Sequence, residues 1–253
     1  MKKLLIVCAH SKELNSVKSK IKEIKQKNLK ISFFSTWIWN YNVLLNLSRF
    51  LENNHFDFIL NIWVCWYVND YKKVFQVSRI YNLSNNKELI VPSIINWYDL
   101  ESIATSDNVV YDKNILLNES YVDMESYAIE LVCDNFKIPR LLLKLPVDKV
   151  WIETKNFDYL KADNSLKNNI DYEELLLKLD NYLSSCEDEV DFEYYFKNYN
   201  FTFSEKEIFK KYYYRYISLV WNNFDDYFRE NLLENKKDFL KVLEKFLDKY
   251  LIK

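Results

Sequence analysis

The chain has 253 residues and a formal net charge of −2, and hydrophobic residues make up 49% of it against 28% charged residues. These proportions suit a globular protein with one sizeable core. The balanced charge gives no electrostatic argument for a nucleic-acid partner or an anionic membrane surface. The sequence has two His and four scattered Cys without a CxxC pair, which argues against a metal cluster. Isolated thiols of this kind are typical of a cytoplasmic protein.

The hydrophobic pattern alternates between strands and helices up to about Asp148. We predict strands over residues 3–9, 29–35, 56–64, 88–92, 102–110 and 139–147, and helices over residues 13–27, 42–53 and 126–135. The first apolar run is too short for a signal peptide and is interpreted as a buried strand. Continuous apolar strands that alternate with helices favour a largely parallel sheet covered on both faces.

The remainder of the chain is predicted to be helical. A leucine-rich stripe predicts a helix over residues 172–183, and residues 204–253 have helical periodicity behind a capping-box start at Ser204. We therefore expect an α/β domain over residues 1–185 and a C-terminal helical extension over residues 186–253. The extension either caps the sheet or offers a surface for a partner. No apolar segment of the sequence is long enough to span a membrane.

Glycine is absent from the sequence. Average usage of roughly 7% would give about eighteen in a chain of this length. Glycine alone adopts positive φ freely and lets a backbone approach a ligand closely. A chain without glycine is not expected to form tight ligand-cradling loops.

Three short motifs occur in a suggestive order. Residues 121–128 read YVDMESYA, residues 144–149 read KLPVDK and residues 104–108 read ATSDN. Together they resemble the nucleoside phosphorylase and nucleosidase superfamily, and in particular its methylthioadenosine/adenosylhomocysteine nucleosidase and futalosine hydrolase-like members. Residues 8–13, CAHSKE, are similar to the entry loop of the nucleosidases. The resemblance spans roughly residues 3–155 and implies a three-layer α/β fold, with a central, mostly parallel mixed sheet flanked by helices.

The resemblance also implies roles for individual residues. Asp148 corresponds to the general acid that protonates the departing base, and Glu13 to the carboxylate that activates water. On the substrate side the resemblance implies contacts from Glu125, Met124, Asp123, Val109 and Ser106. Glu125 would accept hydrogen bonds from the ribose hydroxyls, and Met124 would pack on the sugar.

Several of these residues also have an ordinary structural interpretation. Asp148 could cap a helix, and Glu13 could be a common first-turn glutamate. Met124 could belong to the core, and His10 could be a loop residue.

The expected activity is hydrolysis of a purine-type nucleoside to base and sugar, with no metal or organic cofactor. The expected partner is a small-molecule nucleoside, and the family suggests a homo-oligomer, with a dimer favoured. One alternative is a phosphate-dependent phosphorylase, for which Arg79 is the well-placed spare arginine, although the Glu13 carboxylate would repel phosphate. Another is a non-catalytic nucleoside-binding relative, because Val147 stands where the family has a serine that orients the catalytic aspartate.

Four tryptophans fall on positions where the family has glycine. Trp37 and Trp39 lie in the turn that resembles T-G-I-G-x-x-N, and Trp63 and Trp66 lie in the loop that resembles N-x-G-x-[AC]-G. We predict that UGA codons meaning glycine were read here as tryptophan. If the tryptophans are real, indole rings are expected to obstruct the sugar pocket.

Overall fold

The structure is a computed structural model that describes residues 1–24, 28–68, 71–92, 95–116, 118–150, 158–185, 192–220 and 236–248. The chain forms two compact units, Met1–Cys186 and Glu187–Lys253. The described strands of the first unit are β1 (Lys2–Cys8), β2 (Leu29–Ser35), β3 (Phe58–Tyr67), β4 (Phe75–Asn82), β5 (Lys87–Ile90), β6 (Leu100–Thr105), β7 (Tyr121–Asp123) and β8 (Arg140–Lys149). Its described helices are α1 (Ser11–Lys22), α2 (Asn40–Glu52), α3 (Ser126–Asn135), α4 (Tyr159–Asn168) and α5 (Tyr172–Ser185), with a 3₁₀ turn at Lys113–Leu116.

The strands form one mixed sheet in the order β2-β1-β3-β7-β6-β4-β5, and β8 pairs with both β3 and β4. Among the described strands, five of the eight pairings are parallel. The pairings of β3, β7, β6, β4 and β8 close a ring, because β8 returns to β3. The predicted mostly parallel mixed sheet flanked by helices is confirmed.

The central strands are buried because their side chains are apolar on both faces. In β1 the five residues from Leu4 to Cys8 are buried, and in β3 burial extends from Phe58 to Cys65. Strands of this kind need cover on both sides. Helix α2 supplies part of that cover with the buried stripe Val43, Leu47 and Leu51, spaced four residues apart.

Strand β8 contains a bulge that determines where Asp148 lies. Cys65 of β3 pairs with Pro146, but the next residue, Trp66, pairs with Asp148, so Val147 is an extra residue in β8. Proline has no N–H to donate to a neighbouring strand, and bulges are among the places where a sheet tolerates it. Asp148 therefore lies inside a strand, and the interpretation of this residue as a helix cap is wrong.

Several elements differ from the sequence prediction. Strands β4 and β7 and helix α4 were not predicted, and the strand predicted over residues 102–110 ends at Thr105. The chain turns there because the Ser106 hydroxyl accepts a hydrogen bond from the Asn108 N–H at 3.1 Å. Helix α1 begins at Ser11 and ends at Lys22, which is shorter than the predicted span.

The second unit is built on aromatic side chains. Its described helices are α6 (Phe192–Tyr199), α7 (Phe203–Val220) and α8 (Lys236–Asp248). Tyr195, Phe209 and Phe239 are fully buried in one cluster. Thr202 and Glu205 cap α7 reciprocally, with their backbone N–H groups bonded to each other's side chains at 2.8 and 3.4 Å, so the cap lies two residues before the predicted one. The helix predicted over residues 221–235 and 249–253 lies outside the described residues.

None of the described helices in either unit is long and apolar enough to cross a bilayer.

Candidate active site

A buried lysine lies at the centre of the candidate site. The Lys144 side chain is 0% exposed, and its Nζ is 2.9 Å from Asp123 Oδ2 and 2.9 Å from Asn61 Oδ1. Asn61 is itself fixed because its Nδ2 donates to the Val7 carbonyl at 3.0 Å. The ammonium also lies 5.0 Å from the centre of the Trp63 ring. A buried charge needs such partners, since an isolated one is very costly.

Asp123 holds the start of helix α3. Its Oδ2 accepts a hydrogen bond from the Ser126 hydroxyl at 2.5 Å, and its Oδ1 accepts one from the Thr105 hydroxyl at 2.9 Å. The Ser126 N–H, one of the donors left unpaired at a helix start, also points at this carboxylate at 3.2 Å. A second N–H at this helix start, that of Ala128, donates to Asn40 Oδ1 at 3.0 Å. The start of α3, and with it Glu125, is therefore fixed from several directions.

Glu125 is a buried carboxylate whose two oxygens both accept backbone hydrogen bonds. Oε1 accepts from the Trp39 N–H and Oε2 from the Met124 N–H, each at 3.1 Å. Burial, followed by repulsion from the Asp123 carboxylate, raises the pKa of Glu125 to about 8, although the bond from Trp39 and the charge of Lys144 act against this rise. Each carboxylate oxygen can accept a further hydrogen bond, so donors on a ligand could still be bound.

Glu13 occupies the first turn of α1. The His10 N–H donates to its Oε2 at 3.0 Å, and His10 Nδ1 accepts the Lys12 N–H at 3.2 Å, which completes a capping box. The structural interpretation of His10 therefore holds. Unlike an ordinary first-turn glutamate, Glu13 is buried, and burial raises its pKa to about 7 against the effects of the His10 N–H and the Lys144 charge.

Asp148 is buried on the opposite side of β3 from Asp123. Trp66 of β3 pairs with Val122 of β7 along one edge of the strand and with Asp148 of β8 along the other. The Oδ1 atom of Asp148 is 3.3 Å from Lys161 Nζ on α4. Strands β1, β3 and β8 run parallel, and helix α4 contacts both β8, which carries Asp148, and α1, which carries Glu13.

The remaining predicted residues follow strand ends in the same region. Ser106 and Met124 are buried and Val109 is half-buried. The Ser106 N–H donates to the Asp123 carbonyl at 2.9 Å, so the loop after β6 is joined to β7. Two cations at the site, Lys144 and Lys161, were given no role by the sequence. Lys144 could have been identified because a lysine inside an apolar strand needs a buried acidic partner.

Trp37 and Trp39 have the backbone conformation that favours glycine. Their φ angles are 71° and 83°, and ψ of Trp39 is 140°. Non-glycine residues pay about 1–3 kcal/mol for such conformations. Both indoles are exposed, at 64% and 52%, while the N–H of Trp39 reaches Glu125. Trp63 and Trp66, in contrast, lie in β3 without positive φ.

Arg79 is not spare, contrary to the sequence-based interpretation. Its guanidinium is paired with Glu88 Oε1 at 2.6 Å and Glu119 Oε1 at 2.5 Å. A cation already held by two carboxylates is poorly suited to bind phosphate.

Two cavities adjoin helix α4. One, of about 280 Å³, lies beside Pro146, Val147 and Lys161, and the other, of about 160 Å³, lies between α1 and α4 beside Glu13 and Tyr159. Within the described part of the chain, no group of three or more His, Cys, Asp or Glu side chains could hold a metal ion.

Comparison with known proteins identifies the fold. No family model matches the sequence, and no curated protein matches it. Solved structures do match: a 5'-methylthioadenosine/S-adenosylhomocysteine nucleosidase (MTAN) of Campylobacter jejuni has a TM-score of 0.56 at 18% identity, covering 71% of this chain and 98% of that one. The chain contains the nucleosidase fold.

Two further structures show the same fold. An MTAN of Chlamydia trachomatis has a TM-score of 0.57 at 18% identity, with 72% of this chain and 100% of that one covered. A putative nucleosidase of the same kind from Francisella philomiragia has a TM-score of 0.58 at 15% identity, with 72% and 99% covered. The three-layer α/β fold that the sequence motifs imply is thereby confirmed, and the chain spans nearly the whole length of each of these structures.

Replacing Trp39 by glycine should stabilise the protein. The Trp39→Gly variant relieves the positive-φ strain, loses only a half-exposed indole and pays some backbone entropy, so we expect a gain of about 1 kcal/mol in the free energy of unfolding. Urea unfolding, monitored by circular dichroism, measures this change in the free energy of unfolding. Trp97→Gly is the control, because Trp97 packs against the core without positive φ and its loss should destabilise by about 1–3 kcal/mol. Equal destabilisation by both substitutions would contradict the strain argument.

The pKa of Glu13 predicts how stability depends on pH. Since burial raises this pKa from about 4.5 to about 7, the folded state binds the extra proton between these values, and stability is lost as the pH rises through that window. Glu13→Gln removes the titration and should therefore gain about 2–4 kcal/mol over the wild type at pH 8, with little difference near pH 4.5. Denaturant unfolding at both pH values tests this, with Glu23→Gln, at the exposed end of the same helix, as the control for loss of a charge. If the difference in the free energy of unfolding between the wild type and Glu13→Gln did not vary with pH, the raised pKa of Glu13 would be contradicted.

Proposed function

We propose that the chain hydrolyses the N-glycosidic bond of a purine-type nucleoside to give free base and free sugar. The observation that carries this proposal is the pair of buried carboxylates with raised pKa values, Glu13 and Glu125, on both of which the Lys144 charge acts. Clustered perturbed carboxylates are typical of catalytic sites. Structures with this fold support the substrate class, since the Chlamydia trachomatis MTAN has been solved with MTA and with adenine, and the Neisseria meningitidis nucleosidase with methylthio-immucillin-A.

The proposed reaction divides the proton transfers between two carboxyl groups. As the bond from the sugar C1′ to the base nitrogen breaks, its electron pair moves onto the base, and protonated Asp148 donates a proton to a ring nitrogen. A water oxygen bonds to C1′ and gives its proton to the Glu13 carboxylate. Both protons are then accounted for, with Asp148 ionised and Glu13 protonated, and exchange with solvent restores the starting state.

The environment of Glu13 suits a base. A pKa of about 7 leaves a substantial fraction ionised at neutral pH, and the conjugate acid is weak enough for the carboxylate to accept a proton from activated water. The 160 Å³ cavity beside Glu13 has room for water.

Glu125 and Met124 are proposed to hold the sugar. The remaining acceptor positions on Glu125 would receive the 2′ and 3′ hydroxyls, which orients the ribose for attack. Val109 and Ser106 would border the base. We assign Asp123 a supporting role, since its carboxylate oxygens already bind Lys144, Thr105 and Ser126.

Water rather than phosphate is proposed as the nucleophile. The Glu13 carboxylate would repel a phosphate dianion, and Arg79 is already bound to two glutamates. The phosphorylase alternative would need another cation to hold the phosphate.

We also propose that positions 37 and 39 are glycine in the natural protein, encoded by UGA. The positive φ angles at both positions support this, since only glycine adopts them without strain. Peptide mass spectrometry of protein from the native source tests it over residues 31–49. Glycine masses are expected at both positions, and tryptophan masses would refute the proposal.

Substitution of the two catalytic carboxyl groups tests the activity. Asp148→Asn and Glu13→Gln should each lower kcat for release of adenine from methylthioadenosine by about a hundredfold or more, because each removes one proton-transfer group. Asp134→Asn, an exposed aspartate on α3, is the matched control and should retain the wild-type rate. The readout is chromatographic measurement of free base.

The possible outcomes separate the candidate functions. An unchanged rate in Asp148→Asn would refute its role as the acid. Binding of the nucleoside by the wild type without base release would favour the non-catalytic relative.

A further inference from the structure

We propose that Lys161 is a positioning residue for Asp148, holding its carboxyl group for proton donation. This inference rests on the proposed hydrolysis and adds to it a residue outside the sequence motifs. Lys161 lies on α4, thirteen residues beyond Asp148 and beyond the KLPVDK segment.

The geometry of the pair supports a directed contact. Lys161 Nζ is 3.3 Å from Asp148 Oδ1, and the aspartate is almost fully buried while the lysine side chain is 44% exposed. The lysine thus extends from the surface to a carboxyl group that solvent hardly reaches. Nζ lies within hydrogen-bond reach of Oδ1, so the ammonium group can donate to this oxygen and fix the direction of the carboxyl group.

Local contacts fix the position of Lys161. Asp158 caps α4, with its Oδ1 accepting the N–H groups of Leu160 at 2.9 Å and of Lys161 itself at 3.2 Å. Two residues after Lys161, Asp163 accepts a hydrogen bond from the Ser16 hydroxyl of α1 at 2.5 Å. The same helix therefore contacts α1, the helix that carries Glu13, and also the strand that carries Asp148.

The bulge in β8 explains why a partner from another element is useful. Val147 is the extra residue of the bulge. Its side chain is apolar and has no hydroxyl or amide group that could orient the neighbouring carboxyl group. The pair with Lys161 supplies an orienting contact from α4. In the proposed reaction Asp148 ends as a carboxylate, and the adjacent ammonium stabilises that product of proton transfer.

The test compares two lysines of the same helix. Lys161→Met should lower kcat about three- to tenfold with KM unchanged, as expected for a partly exposed pair, and Lys161→Arg should restore most of the rate. Lys167→Met is the matched control, because Lys167 is 36% exposed and forms an ion pair at 2.7 Å, but with Asp163. It should leave kcat within about twofold of the wild type.

A spectroscopic measurement makes the test independent of activity. The ¹³Cγ resonance of Asp148, assigned by its loss in Asp148→Asn, should shift at neutral pH in Lys161→Met and stay close to its wild-type position in Lys161→Arg and Lys167→Met. If the wild type releases no base, the proposed function fails, and this resonance still decides whether Lys161 acts on Asp148. An unmoved resonance in Lys161→Met, or a raised KM that arginine does not rescue, would overturn the proposal.

Discussion

The buried ammonium of Lys144 is the interaction on which the arrangement of the site depends. It joins β8 to Asp123 on β7 and to Asn61 on β3, and none of it is exposed to solvent. Removal of one partner from such a pair typically costs about 3–5 kcal/mol, because the other charge is left buried and uncompensated. Asp123 in turn holds the start of α3, so the position of Glu125 depends on the same pair.

The charge of Lys144 acts on three carboxyl groups of this site, those of Asp123, Glu13 and Glu125, and this affects the stability of the protein. Lys144 is paired directly with Asp123, and its charge only partly offsets the burial of Glu13 and Glu125. Both glutamates therefore keep raised pKa values. Stability therefore falls at alkaline pH, because both carboxyl groups lose a proton there while they remain buried.

The sequence predicts the parts of this structure that local pattern determines. Strand β2 and helix α3 have the predicted bounds, because their apolar residues follow a clear period. Strand β7 has three residues and is defined by its pairing with β3 and β6, which no local pattern contains. Helix α4 buries mainly Ala162 and Leu166 and has too narrow an apolar stripe to be recognised.

The same distinction applies to the candidate site. The motifs brought Asp148, Glu13 and Glu125 forward as candidates because their residue types and order are distinctive. The partner of Asp148 on α4 and the ion pairs of Arg79 depend on contacts between separate elements, so the sequence could not indicate them. The positive φ of Trp39 agrees with the glycine expected there, although a sequence alone shows no backbone angle.

The most direct test of the account is hydrolysis of methylthioadenosine in water enriched in ¹⁸O, with mass analysis of the sugar product. If Glu13 activates water and Asp148 protonates the base, free adenine should appear together with a sugar that carries ¹⁸O at C1′, with or without phosphate in the buffer. Formation of a sugar 1-phosphate that requires phosphate, or no release of adenine, would contradict the account.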